Sequence, residues 1–343
     1  MSADRVATAP PAGPAGRWLV PVLLAATAAA TLGGLALGSA DIPPLRAWAA
    51  LLHDPEADRV ALVVQEIRLP RILMGLLVGA SLGLAGAALQ GLLRNPLADP
   101  GVLGVSASAA LGAVLALYYG LAEAAPLAIP LAAMAGAGVA TLLLYVQARR
   151  DPSILTLILV GVAINAMAGA LTSLAMNLAP TPYSLREIVM WLLGSLANRS
   201  FTEVWLALPF MAVGWACLLA TAGPLRALTL GEEAGQTLGV NLARTRLLVI
   251  LGTALSVGAA VAVTGTVGFV GLVVPHMLRA AVGADPGRLL LPSALGGALL
   301  VSLADTAIRV APTDQELRLG VVTALIGGPF FFYLVTRART ALR

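Results

Sequence analysis

Residues whose side chains could do chemistry are scarce in this sequence, and their spacing forms no catalytic constellation. The two histidines, His53 and His276, are far apart and lack the spacing of metal ligands. The single cysteine, Cys217, lies in an apolar run, which excludes an internal disulfide and a cysteine-rich metal site. We therefore predict no catalytic residue, no metal site and no cofactor bound by this chain.

The basic residues are all arginines, because the sequence contains no lysine among its 21 basic positions. A Walker A loop needs a lysine on the β- and γ-phosphates of ATP, so this chain cannot hydrolyse ATP by that route. The arginines are scattered, which does not support a nucleic-acid-binding patch. Asp305 is the main acidic residue inside an apolar run. It either serves in a proton relay or pairs with Arg309, one helical turn later.

The longest polar interruption in the second half is GPLRALTLGEEAGQTLGVNLARTR, residues 223–246, which we call the elbow. Thr229 and Glu232 have the spacing of a capping box, and acidic residues suit the first turn of a helix that starts here. Gly239 fits a C-terminal cap, so the spacing predicts a short helix near 230–238. The elbow is either a solvated loop with one helical turn or a folded segment that another protein grips.

The composition indicates a polytopic helical membrane protein. Of the 343 residues, 59% are hydrophobic and only 11% are charged, and the mean hydropathy is +0.91. Several runs reach the ~20 apolar residues that cross a bilayer, and they are continuously apolar, unlike the alternating strands of a barrel. The 36 glycines suit close helix packing in lipid.

We predict an all-α fold with about ten transmembrane helices and with both termini in the cytoplasm. Arginines are more frequent at the cytoplasmic ends of this arrangement, which supports the orientation. The predicted spans are 17–38, about 70–95, 102–118, 126–147, 153–177, 203–221, 247–263, 265–279, 288–308 and 319–335. We expect one transmembrane domain, 17–337, between a disordered cytoplasmic segment, 1–16, and a basic cytoplasmic tail, 338–343. A signal peptide is the alternative for the first run, because LALGSA resembles a cleavage site, but the length of the run favours a retained span.

Three local patterns depart from plain membrane helices. In the second span, glycines recur about every four residues, at Gly75, Gly79, Gly83 and Gly86. This stripe predicts a close helix neighbour. Ser184 and Glu187 have capping-box spacing, which predicts a short amphipathic helix near 184–196 that does not cross the membrane. Dense glycines in TGTVGFVGLVVPHMLR predict a short, broken helix, which is tolerated at membrane depth only beside protein or water.

Four motifs, in order along the chain, carry a family resemblance: IRLPRILMGLLVGASLGLAGAALQGLLRNPLADPGVLGVSASA, LGEEAGQTLGV, GTVGFVGLVVPHMLR and ELRLGVVTALIGGPFFFYLV. They resemble the permease subunits of type II ABC importers, the FecCD family of iron-chelate, haem and cobalamin permeases. The resemblance covers nearly all of the chain from Arg17 onward. It implies a multi-pass permease of the bacterial inner membrane that forms a homodimer, or a pseudo-dimer with a related permease, around one path; the homodimer is the expected form. It also implies two ABC ATPase subunits, which hold ATP and magnesium, and a periplasmic substrate-binding protein.

The resemblance also assigns roles to individual residues. It identifies the elbow helix as the coupling helix that sits in the ATPase cleft, with contacts expected from Leu230, Gly231, Glu232, Glu233, Ala234, Leu238 and Gly239. It implies a cytoplasmic gate at Asn95 and Leu97, with a second part at Ser153 and Ile154. Similar proteins can have a hydroxyl residue where Ile154 stands, so apolar contact is expected to close this part. The alternative is that Pro152 and Ser153 simply cap a helix.

Docking of the binding protein is implied for extracytoplasmic arginines that match Arg68, Arg71 and Arg309. Charges of this kind act on encounter rate and orientation more than on affinity. The alternative is pairing within the chain, because Glu66 and Asp305 are near at hand.

The expected function is that of an ABC importer permease that moves an iron chelate, foremost a ferric siderophore, from periplasm to cytoplasm by alternating access. Cobalamin or haem is the alternative substrate within the same family. An ion-coupled secondary transporter is the alternative of another class. Intramembrane charge relays and inverted repeats would favour a secondary transporter, and neither is evident in the sequence.

Overall fold

The computed structural model describes residues 14–38, 42–56, 58–121, 125, 127–150, 153–313 and 315–340. Within these ranges the regular elements are all helical. The α-helices in chain order are α1 (Pro14–Ala36), α2 (Pro44–Ala49), α3 (Arg59–Leu62), α4 (Leu69–Leu92), α5 (Val105–Tyr118), α6 (Ala128–Arg150), α7 (Ile154–Asn177), α8 (Pro182–Leu192), α9 (Phe201–Leu219), α10 (Ala222–Ala227), α11 (Glu232–Thr237), α12 (Leu242–Thr264), α13 (Val270–Arg279), α14 (Pro286–Val310) and α15 (Leu319–Thr340). A π-helical turn, Val63–Arg68, joins α3 to α4 without a break.

Seven helical segments of the described chain are long and apolar enough to cross a membrane, and three shorter apolar helices accompany them. The seven are Arg17–Ala36, Arg59–Leu92, Ala128–Arg150, Leu155–Asn177, Phe201–Leu230, Leu242–Thr264 and Pro286–Val310, and the three are Val105–Tyr118, Val270–Val282 and Leu319–Tyr333. This set confirms the predicted all-α membrane fold with about ten spanning helices. The first helix begins at Pro14, inside the segment predicted to be disordered. The rest of that segment, 1–13, and residues 341–343 of the predicted tail lie outside the described residues.

The short helix α8 does not begin as predicted. The capping box expected from Ser184 and Glu187 is wrong, because the side chain of Thr181 caps the helix and accepts the N–H of Ser184 at 3.1 Å. The helix also ends at Leu192, four residues before the predicted boundary near 196. A capping box forms instead at the start of α9. The side chain of Ser200 accepts the backbone N–H of Glu203, and the side chain of Glu203 accepts the backbone N–H of Ser200.

Helix α4 lies at the centre of the bundle and touches α14 at backbone distance. A Cβ atom on Gly79 would overlap the carbonyl oxygen of Gly297, and one on Gly83 would overlap that of Ser293. Gly86 lies equally close to the carbonyl oxygen of Gly271 in α13. The predicted glycine stripe therefore does place helix neighbours in direct contact, as small residues do in membrane proteins.

Replacing Gly83 with alanine is expected to lower the free energy of unfolding by about 1–3 kcal/mol, since the added methyl group overpacks a backbone contact. Gly169 in α7 is the matched control, because a Cβ there meets no atom within 4 Å. Gly169→Ala is expected to be neutral or slightly stabilising, by up to ~1 kcal/mol, through helix propensity. Thermal unfolding of both purified variants in one detergent measures the difference. Equal midpoints for the two variants would contradict the packing argument.

The predicted broken helix is also present. Helix α12 ends at Thr264 and is followed by Gly265, which has φ +73, and α13 begins after Phe269, which has φ +66. Phe269 is held in this left-handed conformation beside Gly327 of α15, where a Cβ atom would overlap the phenyl ring. The backbone carbonyl of Thr264 accepts the N–H of Ser195 at 2.8 Å, so neighbouring protein provides the hydrogen bond that the last carbonyl group of α12 lacks within the helix.

The bundle has two chemically different ends. At one end, Gly91 near the close of α4 packs against Leu225 of α10 and Pro286 of α14. We call this the elbow end. At the other end, Arg71 near the start of α4 contacts Asp305 near the close of α14. We call this the arginine end.

Candidate functional site

The elbow folds as α10, a short 3-10 turn and α11. Gly231 precedes α11 with φ +107, a conformation that favours glycine. The predicted capping box is wrong, because the hydroxyl of Thr229 donates to the carbonyl oxygen of Arg226 at 2.7 Å and the N-cap position belongs to Gly231. The helix spans Glu232–Thr237, shorter than the predicted 230–238. Gly239, with φ +87, follows it as the predicted C-terminal glycine.

Two ion pairs fix the elbow to the spanning helices. Glu232 Oε1 lies 2.8 Å from Nη2 of Arg246, whose side chain is only 7% exposed at the start of α12. Arg226 Nε lies 2.8 Å from Oδ2 of Asp285, and the same carboxylate accepts backbone N–H groups at the start of α14. The elbow is therefore a folded segment anchored at two points, and the alternative of a plain solvated loop does not describe it.

The outer face of the elbow carries two exposed leucines and an exposed glutamate. Leu230 and Leu238, on either side of α11, are 69% and 64% exposed. Glu233 is exposed, and among the described residues it forms no ion pair. Ala234 is half-buried between them. An acidic helix start flanked by exposed leucines is suited to contact with another protein.

The first predicted gate segment is a tight loop after α4. Asn95 is exposed, and its side-chain oxygen accepts the N–H of the half-buried Leu97 at 2.9 Å. Its carbonyl oxygen accepts the N–H of Ala98. Asp99 ends the loop, where its carboxylate accepts the N–H of Gly101 at 2.8 Å. Burial raises the pKa of the Asp99 carboxyl, although the hydrogen bond from Gly101 acts in the opposite direction.

The second predicted gate segment opens α7. Ser153 occupies the N-cap position of the helix with an extended backbone, and its carbonyl oxygen accepts the N–H of Leu157 at 3.1 Å, so it starts the helix as the capping alternative expects. Ile154 is the first residue of α7, and its side chain lies outside the described part, as does Pro152. The 3-10 turn Pro100–Leu103, which follows the first gate segment, packs against α7. A Cβ atom on Gly161 of α7 would overlap the carbonyl oxygen of Val102 in this turn. The gate roles stay predictions.

A buried glutamine ties the first gate segment to the broken helix. Gln90 is 1% exposed, and its side-chain nitrogen donates to the carbonyl oxygens of Gly271 and Leu272 at 3.3 Å and of Ala98 at 3.4 Å. Its side-chain oxygen accepts Nη2 of Arg279 at 2.6 Å. Sequence reasoning missed this residue. The available signal was a lone amide side chain inside an otherwise apolar span, which is costly unless it is bonded.

The arginine end holds a cluster of charges. Nη2 of Arg71 lies 2.8 Å from Oδ1 of Asp305 and also contacts Glu316. Nε of Arg309 lies 3.2 Å from Oδ2 of Asp305, an ion pair without hydrogen-bond geometry. Arg68 is buried, and it donates to the carbonyl oxygens of residues 35 and 36 at the end of α1, at 2.7 and 3.1 Å. A cavity of about 520 Å³ opens beside these side chains.

The three arginines predicted to dock a binding protein line one cavity at this end of the bundle. Their charges are largely engaged inside the chain, since the side chains of Arg71 and Arg309 are 12% and 8% exposed. Asp305 pairs with Arg309, one of the two roles considered for it, and with Arg71 as well. Docking by these arginines stays a prediction. In the described residues, no three His, Cys, Asp or Glu side chains lie close enough to hold a metal ion.

Comparison with known proteins decides the family. The model of the FecCD transport family matches residues 24–337, which is most of the chain. The chain belongs to the FecCD transport family. It is thus a polytopic transport protein, and the elbow, the gate loop and the charge cluster all lie within the matched region.

Curated relatives in this family are named as permeases. The cobalamin import system permease protein BtuC of Halobacterium salinarum is 43% identical over 293 residues, 84% of this chain and 77% of that protein. The vitamin B12 import system permease proteins BtuC of Vibrio cholerae and Salmonella typhi are 42% and 40% identical, over 88% and 94% of this chain and 89% and 95% of theirs.

A solved structure has the same fold. It is an inward-facing conformation of a metal-chelate type ABC transporter, with a TM-score of 0.83 and 32% sequence identity. The similarity covers 94% of this chain and 99% of the other. This protein therefore has the fold of an ABC permease.

Proposed function

We propose that this protein is the permease subunit of an ABC importer that carries cobalamin from the periplasm to the cytoplasm across the bacterial inner membrane. The observation that carries the proposal is the similarity to permeases named for cobalamin, which extends over 94% of the chain. The sequence motifs alone favoured a ferric siderophore as the substrate, with cobalamin as an alternative. The named relatives make cobalamin the proposed substrate. The relatives give no support to iron-siderophore specificity, although one solved neighbour is of the metal-chelate type.

The elbow is the part of the permease proposed to contact the ATPase. The exposed side chains of Leu230, Glu233 and Leu238 would meet the partner subunit, which binds ATP and magnesium. The pairs Glu232–Arg246 and Arg226–Asp285 would carry its movement to α12 and α14. In this proposal the elbow end is cytoplasmic, and so are both termini.

Transport would proceed by alternating access in a complex of two identical permeases and two ATPases. The loop with Asn95 and Leu97 and the start of α7 at Ser153 and Ile154 would close the path at the elbow end. Nucleotide state would shift the balance between inward-open and outward-open forms through the difference in ATPase contact. The periplasmic binding protein would dock at the arginine end, near the cluster around Arg71.

Uptake of labelled cobalamin, ferric siderophore and haem tests the substrate in a strain deleted for this gene. We expect loss of cobalamin uptake alone, restored by the gene in trans. Loss of siderophore or haem uptake alone would keep the importer and overturn the proposed substrate. Normal uptake of all three would contradict the whole substrate proposal.

A further inference from the structure

A groove runs along one side of the bundle between α6, α9 and α12 and encloses about 360 Å³. Small residues, Ala137, Ala254 and Gly258, form its base. Larger apolar side chains form its sides: Met134, Leu142, Phe210, Leu251 and Leu255. The groove opens outward, because Leu142 is 60% and Phe210 39% exposed.

The base of the groove offers hydrocarbon contact and little hydrogen bonding. The hydroxyl of Thr141 lines it but already donates to the carbonyl oxygen of Ala137 at 2.6 Å. Along α6 the groove extends from Met134 to Tyr145, about 16 Å at ~1.5 Å per residue. This length is about half of a hydrocarbon core of ~30 Å, which is the length available to one acyl chain.

One end of the groove is cationic. The guanidinium of Arg149 lies 5.9 Å from the ring centroid of Tyr145, which itself lines the groove. Arg150 follows, both arginines are exposed, and within the described residues neither forms an ion pair. Asp151 comes next in the sequence and lies outside the described residues. A tyrosine ring next to a cationic side chain at the end of a spanning helix is typical of the membrane–water interface.

The neighbouring helix adds positive charge at the same level. Gly258 of α12 faces Ala137 of α6, and the two helices run in opposite directions. The register therefore puts Arg149 level with Arg246, at the elbow end. Arg246 is already paired with Glu232, whereas Arg244 is exposed and has no ion pair among the described residues.

We propose that this groove binds an anionic phospholipid of the leaflet at the elbow end. One acyl chain lies between α6, α9 and α12, and the headgroup phosphate contacts Arg149 and Arg150. Charge complementarity favours a lipid over a second copy of the chain. The spanning helices α7 and α15, which expose many apolar residues, carry no acidic residue that could meet these arginines.

Native mass spectrometry of the purified full-length protein tests the proposal, with phosphatidylglycerol and phosphatidylcholine of equal chain length as probes. We expect one phosphatidylglycerol retained per chain, and binding at least about tenfold weaker in R149Q/R150Q. The matched control is R17Q/R94Q, which removes the same charge from exposed positions at the same end of the bundle. It should bind like the parent protein.

A second variant separates the groove from the charges. Gly138→Phe fills the groove from a position whose Cβ meets no atom within 4 Å, so the fold should tolerate it. We expect it to lose the retained phosphatidylglycerol while both arginines remain. Equal retention of both lipids by the parent protein, or equal loss in R17Q/R94Q, would overturn the proposal. A change in oligomeric mass in Gly138→Phe with lipid retention unchanged would assign the groove to a second copy and overturn it as well.

Discussion

Reversal of the charge at Glu232 is expected to reduce substrate uptake by the assembled transporter at least tenfold. Glu232 is the partner of Arg246, which lies 2.8 Å away with a side chain only 7% exposed. Glu232 itself is 37% exposed, so an arginine there would place two positive charges side by side at a partly solvated site. The change leaves the buried guanidinium of Arg246 without its carboxylate and costs about 1–3 kcal/mol, so α11 should lose its fixed position on α12.

Two further variants separate anchoring from contact with the ATPase. The exchange E232R/R246E restores opposite charges and should recover part of the uptake. Glu233→Arg changes an exposed residue, so it should leave thermal stability intact and uncouple ATP hydrolysis from uptake. The measurements are uptake and ATPase activity in reconstituted vesicles, together with thermal unfolding. Normal uptake in Glu232→Arg would reject the anchoring role, and normal coupling in Glu233→Arg would reject the contact.

Replacement of Asp305 by asparagine is expected to lower the free energy of unfolding by about 3–5 kcal/mol. Asp305 is 3% exposed and neutralises both Arg71 and Arg309. Without the charge of Asp305, Glu316 would be the remaining carboxylate near the two buried guanidinium groups. Among the described residues Glu316 forms an ion pair with Arg71, so Arg309 would lose its ion pair. Thermal unfolding of the purified permease at low and high salt measures the loss, which should persist at high salt because the pair is buried.

Glu316→Gln is the matched control at the arginine end. The side chain of Glu316 is 38% exposed, so its loss should cost no more than ~1 kcal/mol. The same variant tests docking, because it removes a carboxylate that competes for Arg71. We expect faster, salt-sensitive association with the binding protein. A stability loss in Glu316→Gln equal to that in Asp305→Asn would contradict the argument that Asp305 is the carboxylate that neutralises the buried arginines.

Patterns local in sequence predicted the membrane fold well. The glycine spacing in the second span predicted a close neighbour, and Gly79 and Gly83 do touch the backbone of α14. The dense glycines after residue 264 predicted the break before α13. Both predictions worked because glycine acts through the backbone around it, which depends little on the rest of the chain.

Cap positions and charge pairing were harder to predict, because distant residues decide them. The carboxylate of Glu232 pairs with Arg246 and takes no part in the expected capping box with Thr229. Arg71 finds its partner 234 residues further along the chain, in Asp305. Spacing within one helix carries no information about such contacts. The family positions implied a docking role for the arginines of this end, whereas their burial and their pairing with Asp305 emerged only from the fold.

The glycine contacts between α4 and α14 also have a mechanical consequence. Where two backbones touch directly, no layer of side-chain rotamers lies between them to yield under load. The 24 residues of α4 extend about 36 Å, from the arginine end to the contact of Gly91 with Pro286. The pair α4–α14 therefore acts as a stiff strut through the membrane. A tilt imposed at one end must appear at the other, and flexure has to occur at joints such as Phe269 and the loop with Asn95.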